Sequence, residues 1–321
     1  MSVGPYRVVG RLGSGGMGWV YLGRSRAGQV VAVKVVRAEL AADPEFRRRF
    51  AREVAAARLV GGAHTAAVLD ADPEAELPWL ATAYVPGPAL SEAVATDGAF
   101  TEEQTRRLGT GLVDALGAIH AAGVVHRDLK PSNVLLASDG PRVIDFGISW
   151  MAGAPGLTRT GALMGTPPYM SPEQVTGGRS GPPGDVFSLA GVLVYASAGH
   201  PPFGSDAAVH YRVVHGEPDL ADVPGPLEAV LRRCLAKAPA ERPALAELRS
   251  ALLDGEGAER PAQWPPSVSR TIEVRTDELR ARRSRGVSES VPSCLLLHAR
   301  ALLDAGLTDR MVYEASGRAA S

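Results

Sequence analysis

Residues 11 to 23, RLGSGGMGWVYLG, hold Gly13, Gly15 and Gly18 in a G-x-G-x-x-G frame. A backbone without side chains at that spacing can come close to a pyrophosphate. The frame has two unrelated settings: a strand-to-helix turn with the phosphates on the helix N-terminus, and the cap of a β-hairpin. A bare flexible turn is a third reading of the glycines alone. Trp19, Val20 and Tyr21 follow directly and favour strand, so a hairpin is expected. An NAD-dependent oxidoreductase would need a helix at that point.

Two charges further on pose matching problems. Lys34 shares one face of the strand-like run VVAVKVV with Val30, Ala32 and Val36. Glu53 borders the apolar stripe Phe46, Phe50, Val54, Ala57 of a helix-like segment. A charge on a face bound for the core needs a partner. The simplest expectation is that Lys34 and Glu53 pair; a snorkelling Lys and a solvated Glu are the alternative. Only Lys34, Lys130 and Lys237 are lysines among the 34 basic residues, so Lys is expected where chemistry requires a compact cation.

The stretch VVHRDLKPSNVLL, residues 124 to 136, puts His126, Arg127, Asp128, Lys130 and Asn133 in an H-R-D-L-x-x-x-N frame, and Asp145, Phe146, Gly147 follow as D-F-G. With the glycine loop, Lys34 in VAVK, Glu53 on a helix and Ser-Pro-Glu at 171 to 173, the order of motifs is complete. Over residues 6 to 253 the chain resembles the eukaryotic-like (Hanks-type) serine/threonine protein kinases of bacteria. The resemblance implies an α+β, bilobal protein-kinase fold: a small, mainly antiparallel β N-lobe with one helix, about 6–85, and a larger, mainly α C-lobe, about 88–253.

It also implies roles and ligands. ATP and Mg2+ are the expected cofactors. Gly13, Ser14, Gly15, Gly16, Met17, Gly18 and Trp19 would close over the phosphates, and Lys34, oriented by Glu53, would hold the α- and β-phosphates. Asn133 and Asp145 would ligate magnesium, a hard cation that takes oxygen donors. Asp128 would act on the proton of the acceptor hydroxyl, and Lys130 would lie against the γ-phosphate. Leu12, Val20 and Ala32 would sandwich the adenine, with Thr82 as gatekeeper and the backbone of Ala83 and Val85 as hinge; for these apolar residues core packing is the competing role. Pro86 has no N–H to donate. Thr160, then Thr158, are the expected autophosphorylation sites, their phosphates meeting Arg127. Thr166 is expected near Asp128, Glu173 and Arg242 as a buried pair, and Asp185 as the group holding the catalytic-loop backbone. A nucleotide-binding pseudokinase and a small-molecule phosphotransferase of related fold are the alternatives.

The elements that must position these residues are legible in outline. Residues 6 to 36 alternate β-rich runs with glycine turns, reading as an antiparallel meander. Asp43 and Pro44 mark a helix start. Beyond the turn PGP the pattern is helical, and the apolar run 186–198, too short to span a bilayer, reads as a buried helix. Residues 254–321 read as a linker and flexible tail carrying an Arg cluster, RARRSR, and the amphipathic stretch SCLLLHARALLDAGL.

Composition narrows the partners. A net charge of −1 argues against nucleic acid held by bulk electrostatics. Cys234 and Cys294 lack disulfide or zinc spacing. Neither a secretory signal nor a membrane span is visible, so a cytoplasmic location is expected, with protein substrates and a dimer for trans-autophosphorylation as partners.

Overall fold

The computed structural model describes residues 1–145, 166–253 and 263–284, with side chains to 281. The smaller lobe is an antiparallel sheet of β1 (Ser2–Val3), β2 (Tyr6–Gly15), β3 (Gly18–Arg24), β4 (Val30–Val36), β5 (Val68–Asp72) and β6 (Trp79–Ala83), in the order β1-β2-β3-β4-β6-β5. The glycine segment is the tip of the β2–β3 hairpin, with Gly15 opposite Gly18. No helix follows it, which removes the dinucleotide-binding reading.

The two-residue period of β4 sorts the sheet into faces. Val31, Val33 and Val35 are buried with Tyr6, Trp79 and Ala81 on one side. Ala32 and Lys34 lie on the other, opposite Thr82 and Leu80 of β6 and Leu22 and Val20 of β3. That second face is covered at one end by α2 (Pro44–Ala57), reached through the single turn α1 (Ala38–Ala41). Asp43 caps α2 by accepting the Glu45 N–H at 2.8 Å, and Phe46, Phe50, Val54 and Ala57 are all buried.

The larger lobe contains α3 (Leu90–Asp97), α4 (Glu102–Ala121), the ribbon β7 (Val134–Ala137) and β8 (Gly140–Val143), then α5 (Pro172–Val175), α6 (Pro182–Ala198), α7 (Val209–His215), α8 (Gly225–Cys234) and α9 (Leu245–Leu253). Thr101 and Gln104 cap α4 reciprocally. Helix α6 is apolar on every side because it runs through the core, where Phe187 stacks on Phe203 at 5.7 Å. No described helix is long and apolar enough to cross a membrane.

The segment read as linker and tail departs from that reading. Residues 263–284 include α10 (Pro266–Ser284), and Trp264, Val268 and Ile272 join the core of the larger lobe. These three recur every four residues, a helical stripe masked by the surrounding Pro and Ser. The RARRSR cluster straddles the end of α10; SCLLLHARALLDAGL lies outside the described residues.

Gly18 and Gly15 separate fold from ligand clearance. A Cβ at Gly18 would overlap the Val35 carbonyl oxygen across the β3–β4 ladder, whereas one at Gly15 meets nothing. Gly18→Ala is expected to cost about 1–3 kcal/mol in urea unfolding, and Gly15→Ala to stay within about 0.5 kcal/mol.

Candidate active site

The loop from His126 to Asn133 is held by one carboxylate. Asp185, fully buried in the first turn of α6, accepts the N–H groups of His126 and Arg127 at 2.8 Å each, and lies 2.7 Å from His120 Nε2 on α4. Arg127 has a φ of 64° and Asp145 one of 59°, the two non-glycine residues with positive φ among those described. Such a conformation costs on the order of 1–3 kcal/mol and persists where its surroundings enforce it. For Arg127 they do: Asp185 takes its N–H, and Gln174 Nε2 donates to its carbonyl at 2.8 Å.

This backbone presents Asp128 to two partners. Lys130 Nζ lies 2.8 Å from Asp128 Oδ2, and Asn133 Nδ2 donates to the same oxygen at 3.2 Å and to the Asp128 carbonyl at 2.8 Å. Lys130 also donates to Thr166 Oγ1 at 3.0 Å, so Thr166 reaches Asp128 through the lysine. His126 is buried, and its Nδ1 accepts the Asp128 N–H at 3.3 Å. Burial holds its pKa below the ordinary value, against the pull of Asp185 and Asp128, so the ring is neutral.

Lys34 meets a different carboxylate from the one expected. Its Nζ lies 3.0 Å from Asp145 Oδ2. Burial works to raise the Asp145 pKa, but the charge and hydrogen bond of Lys34 outweigh it, with Lys130 adding, and the carboxyl stays below its usual range. The Lys34–Glu53 pair is not formed in this state. Glu53 Oε2 is buried without a hydrogen-bond partner, in the field of Arg127, Arg52 and Arg49. The ammonium is already satisfied by Asp145, and Glu53 is left to pay its own desolvation.

The tip of the glycine hairpin is tied down against β4 and α2. Met17 is buried with Val36, Phe46, Phe50, Val54 and Leu80, beneath α2. Arg37 Nη2 donates to the Gly15 carbonyl at 3.1 Å, and the guanidiniums of Arg11 and Arg37 lie 5.4 and 5.3 Å from the centre of the Trp19 ring. Leu12, Gly13, Ser14 and Gly16 belong to the same hairpin, and Val20, Ala32 and Thr82 share the face of Lys34. Ala83 ends β6, with Val85 in the half-buried connection that follows.

Glu173 and Arg242 form a two-pronged pair at 2.8 Å per contact, the Arg242 side chain wholly buried and also bonded to the carbonyls of Ala236, Pro183 and Lys237. Lys237 turns out to be architectural: Nζ donates to the carbonyls of Arg212 and Val213 at the end of α7 and sits 4.1 Å from the Phe203 ring centre. Burial pushes the Cys234 thiol up to about 12, which makes it a packing residue. Gln174, His120, Arg11 and Arg37 escaped the sequence reading, since each acts across a distance that no local pattern records. Phe146, Gly147, Thr158 and Thr160 lie outside the described residues.

The protein kinase domain family matches residues 6–252. The chain belongs to the protein kinase family. It is 50% identical over 266 residues to a probable serine/threonine-protein kinase, PkwA, of Thermomonospora curvata, covering 82% of this chain and 35% of that protein. It is 51% identical over 263 residues to the serine/threonine-protein kinase AfsK of Streptomyces coelicolor, covering 80% of this chain and 33% of that one. The chain thus spans about a third of the length of these curated relatives. The solved kinase domain of Mycobacterium tuberculosis PknI is 31% identical, with a TM-score of 0.64, and the match covers 78% of this chain and 96% of that one. The kinship confirms the bilobal fold and the bacterial serine/threonine kinase resemblance. Kinases of this family use ATP and Mg2+ in general.

Glu53 gives this state of the protein a pH signature. Burial pushes its carboxyl up from 4.5 to about 7, opposed by Arg127, Arg52 and Arg49. Between those two values the folded chain binds more protons than the unfolded one, so stability falls as pH rises through that window and is level above it. The loss amounts to about 3 kcal/mol for a shift of that size. Glu53→Gln should remove this part of the decline, so the variant's Tm relative to wild type rises between pH 5 and pH 7.5.

Proposed function

We propose that the chain transfers the γ-phosphoryl group of ATP to serine and threonine hydroxyls of protein substrates. The observation that carries this reading is Asp128 held between Lys130 and Asn133 on a loop whose backbone Asp185 fixes. Phosphoryl transfer relies on positioning and charge neutralisation, and an aspartate with a fixed backbone and a cation beside it suits both.

On this reading the acceptor hydroxyl lies against Asp128. As the hydroxyl oxygen bonds to the γ-phosphorus and the bond from that phosphorus to the β–γ bridging oxygen breaks, Asp128 takes the hydroxyl proton and ADP leaves. Lys130 steadies the transferring group's negative charge, and Lys34 holds the α- and β-phosphates. The base lies against Leu12, Val20 and Ala32 beside Thr82, with Ala83 and Val85 as backbone partners. Gly13, Ser14, Gly15, Gly16, Met17, Gly18 and Trp19 form the roof.

The donor set also fits a hard cation. Asn133 commits its Nδ2 to Asp128, so its amide oxygen is the atom a cation would take, and Asp145 supplies a carboxylate kept ionised by Lys34. Mg2+ bound to Asn133 and Asp145 would neutralise phosphate charge.

Activation follows from the same charges. Phosphorylation of Thr160, and secondarily of Thr158, by a second copy in a transient dimer would bring an anion to Arg127 and order the loop through charge-assisted bonds. On this reading the need for ATP supports a cytoplasmic location for the domain.

Incubation with labelled ATP, Mg2+ and a generic acceptor protein should place label on serine and threonine, and Asp128→Asn should lower kcat by about 10²–10⁴. Label on small-molecule acceptors alone, or none at all, would overturn the reading. Replacing Thr158 and Thr160 together by Ala should reduce both the phosphate content of the purified kinase and its rate, which phosphopeptide mapping and initial velocities will read.

A further inference from the structure

The family match ends at residue 252, yet α10 lies beyond it and is bound to the segment that joins the lobes. Its start is anchored in the large lobe. Trp264 is buried, packs 6.1 Å from the Phe100 ring, and donates through Nε1 to the Ala137 carbonyl at the end of β7, at 2.6 Å. Gln104 Nε2 donates to the Gln263 carbonyl at 3.3 Å, and Ser267 Oγ donates to Asp97 at the end of α3. Val268 and Ile272 continue the buried stripe.

Further along α10, Arg275 Nη1 donates to the Gly87 carbonyl at 2.6 Å. Its Nη2 lies 3.6 Å from Glu92 Oε2, the oxygen that accepts the Ala89 N–H at 3.2 Å at the start of α3. Both side chains are largely buried, at 15% and 18% exposure, so water screens the contact little. From the other side, Leu136 of β7 donates its N–H to the Pro88 carbonyl at 2.9 Å, and a Cβ at Gly87 would overlap the Leu136 carbonyl oxygen. Residues 87–89 are therefore gripped between β7 and α10, immediately after Ala83 and Val85.

We propose that Arg275 is a positioning residue for the nucleotide: through the Gly87 carbonyl and Glu92 it fixes the exit of the 83–85 segment, so the backbone groups that receive the base are set before it arrives. The proposal rests on the reading that residues 83–85 hold the base. A planar guanidinium fixes the direction of a carbonyl in a way a single-point ammonium does not, and a segment ordered in advance loses less freedom on binding. The helix C-terminal to the matched family domain is then part of the working unit.

The test uses the full chain as wild type, Arg275→Ala and Arg275→Lys, with amide hydrogen exchange over residues 83–90 in the absence of nucleotide and steady-state kinetics with ATP. Arg275→Ala should speed exchange in that segment about tenfold and raise KM for ATP about tenfold with kcat within about twofold. Amides of α4 and α6 should be unaffected, and Arg275→Lys should fall between wild type and Ala. Unchanged exchange and KM would overturn the proposal, as would a parallel loss of kcat with faster exchange throughout the large lobe. Should the Ala variant fail to fold, the Lys variant decides by the same two readouts. A wild type that does not use ATP would instead defeat the functional reading, leaving local exchange to decide whether Arg275 braces the segment.

Discussion

A single buried carboxylate organises the larger lobe around the cleft. Asp185 gathers two successive backbone N–H groups and a histidine ring, and without it the loop's donors would be stranded inside the protein. Its position in the first turn of α6 ties the loop to the most deeply buried helix of the fold. The left-handed Arg127, the placement of Asp128 and the reach of Lys130 to Thr166 all follow from that tether.

Around it the ionic groups are arranged as two couples, Lys130 with Asp128 and Lys34 with Asp145. Each lysine sits on an element whose direction is fixed by something else: the sheet face for Lys34, the clamped loop for Lys130. Glu53 stands outside both couples, a partly desolvated acid facing arginines. Its carboxyl oxygen is buried without a partner, while the lysine expected to meet it is held by Asp145.

Much of this was legible in the sequence because the strongest signals are local. The capped start of α2, the stripe from Phe46 to Ala57, the glycine hairpin and the face shared by Ala32 and Lys34 all follow from period and turn chemistry over a few residues. The motif residues from Asp128 to Asp145 lie close together in the structure as their short spacing suggests. Choosing the partner of Lys34 was a different problem. Two carboxylates compete for one ammonium, and the outcome depends on the backbone of Asp145 and on the placement of α2, neither of which a pattern encodes. Lys237 was singled out for its rarity, but a lysine also suits a helix end with two carbonyls to satisfy. Trp264 was hidden by composition: proline and serine around it resemble a linker, although they only start a helix.

The burial of Met17 joins two parts that sequence order keeps separate. The hairpin tip has its apolar anchor among Phe46, Phe50 and Val54, side chains of the helix that carries Glu53. Lifting the tip means withdrawing a thioether from an aromatic nest, and the helix loses packing at the same moment. Hairpin tip and helix are therefore packed as one unit, so displacing the tip also unpacks the helix that carries Glu53.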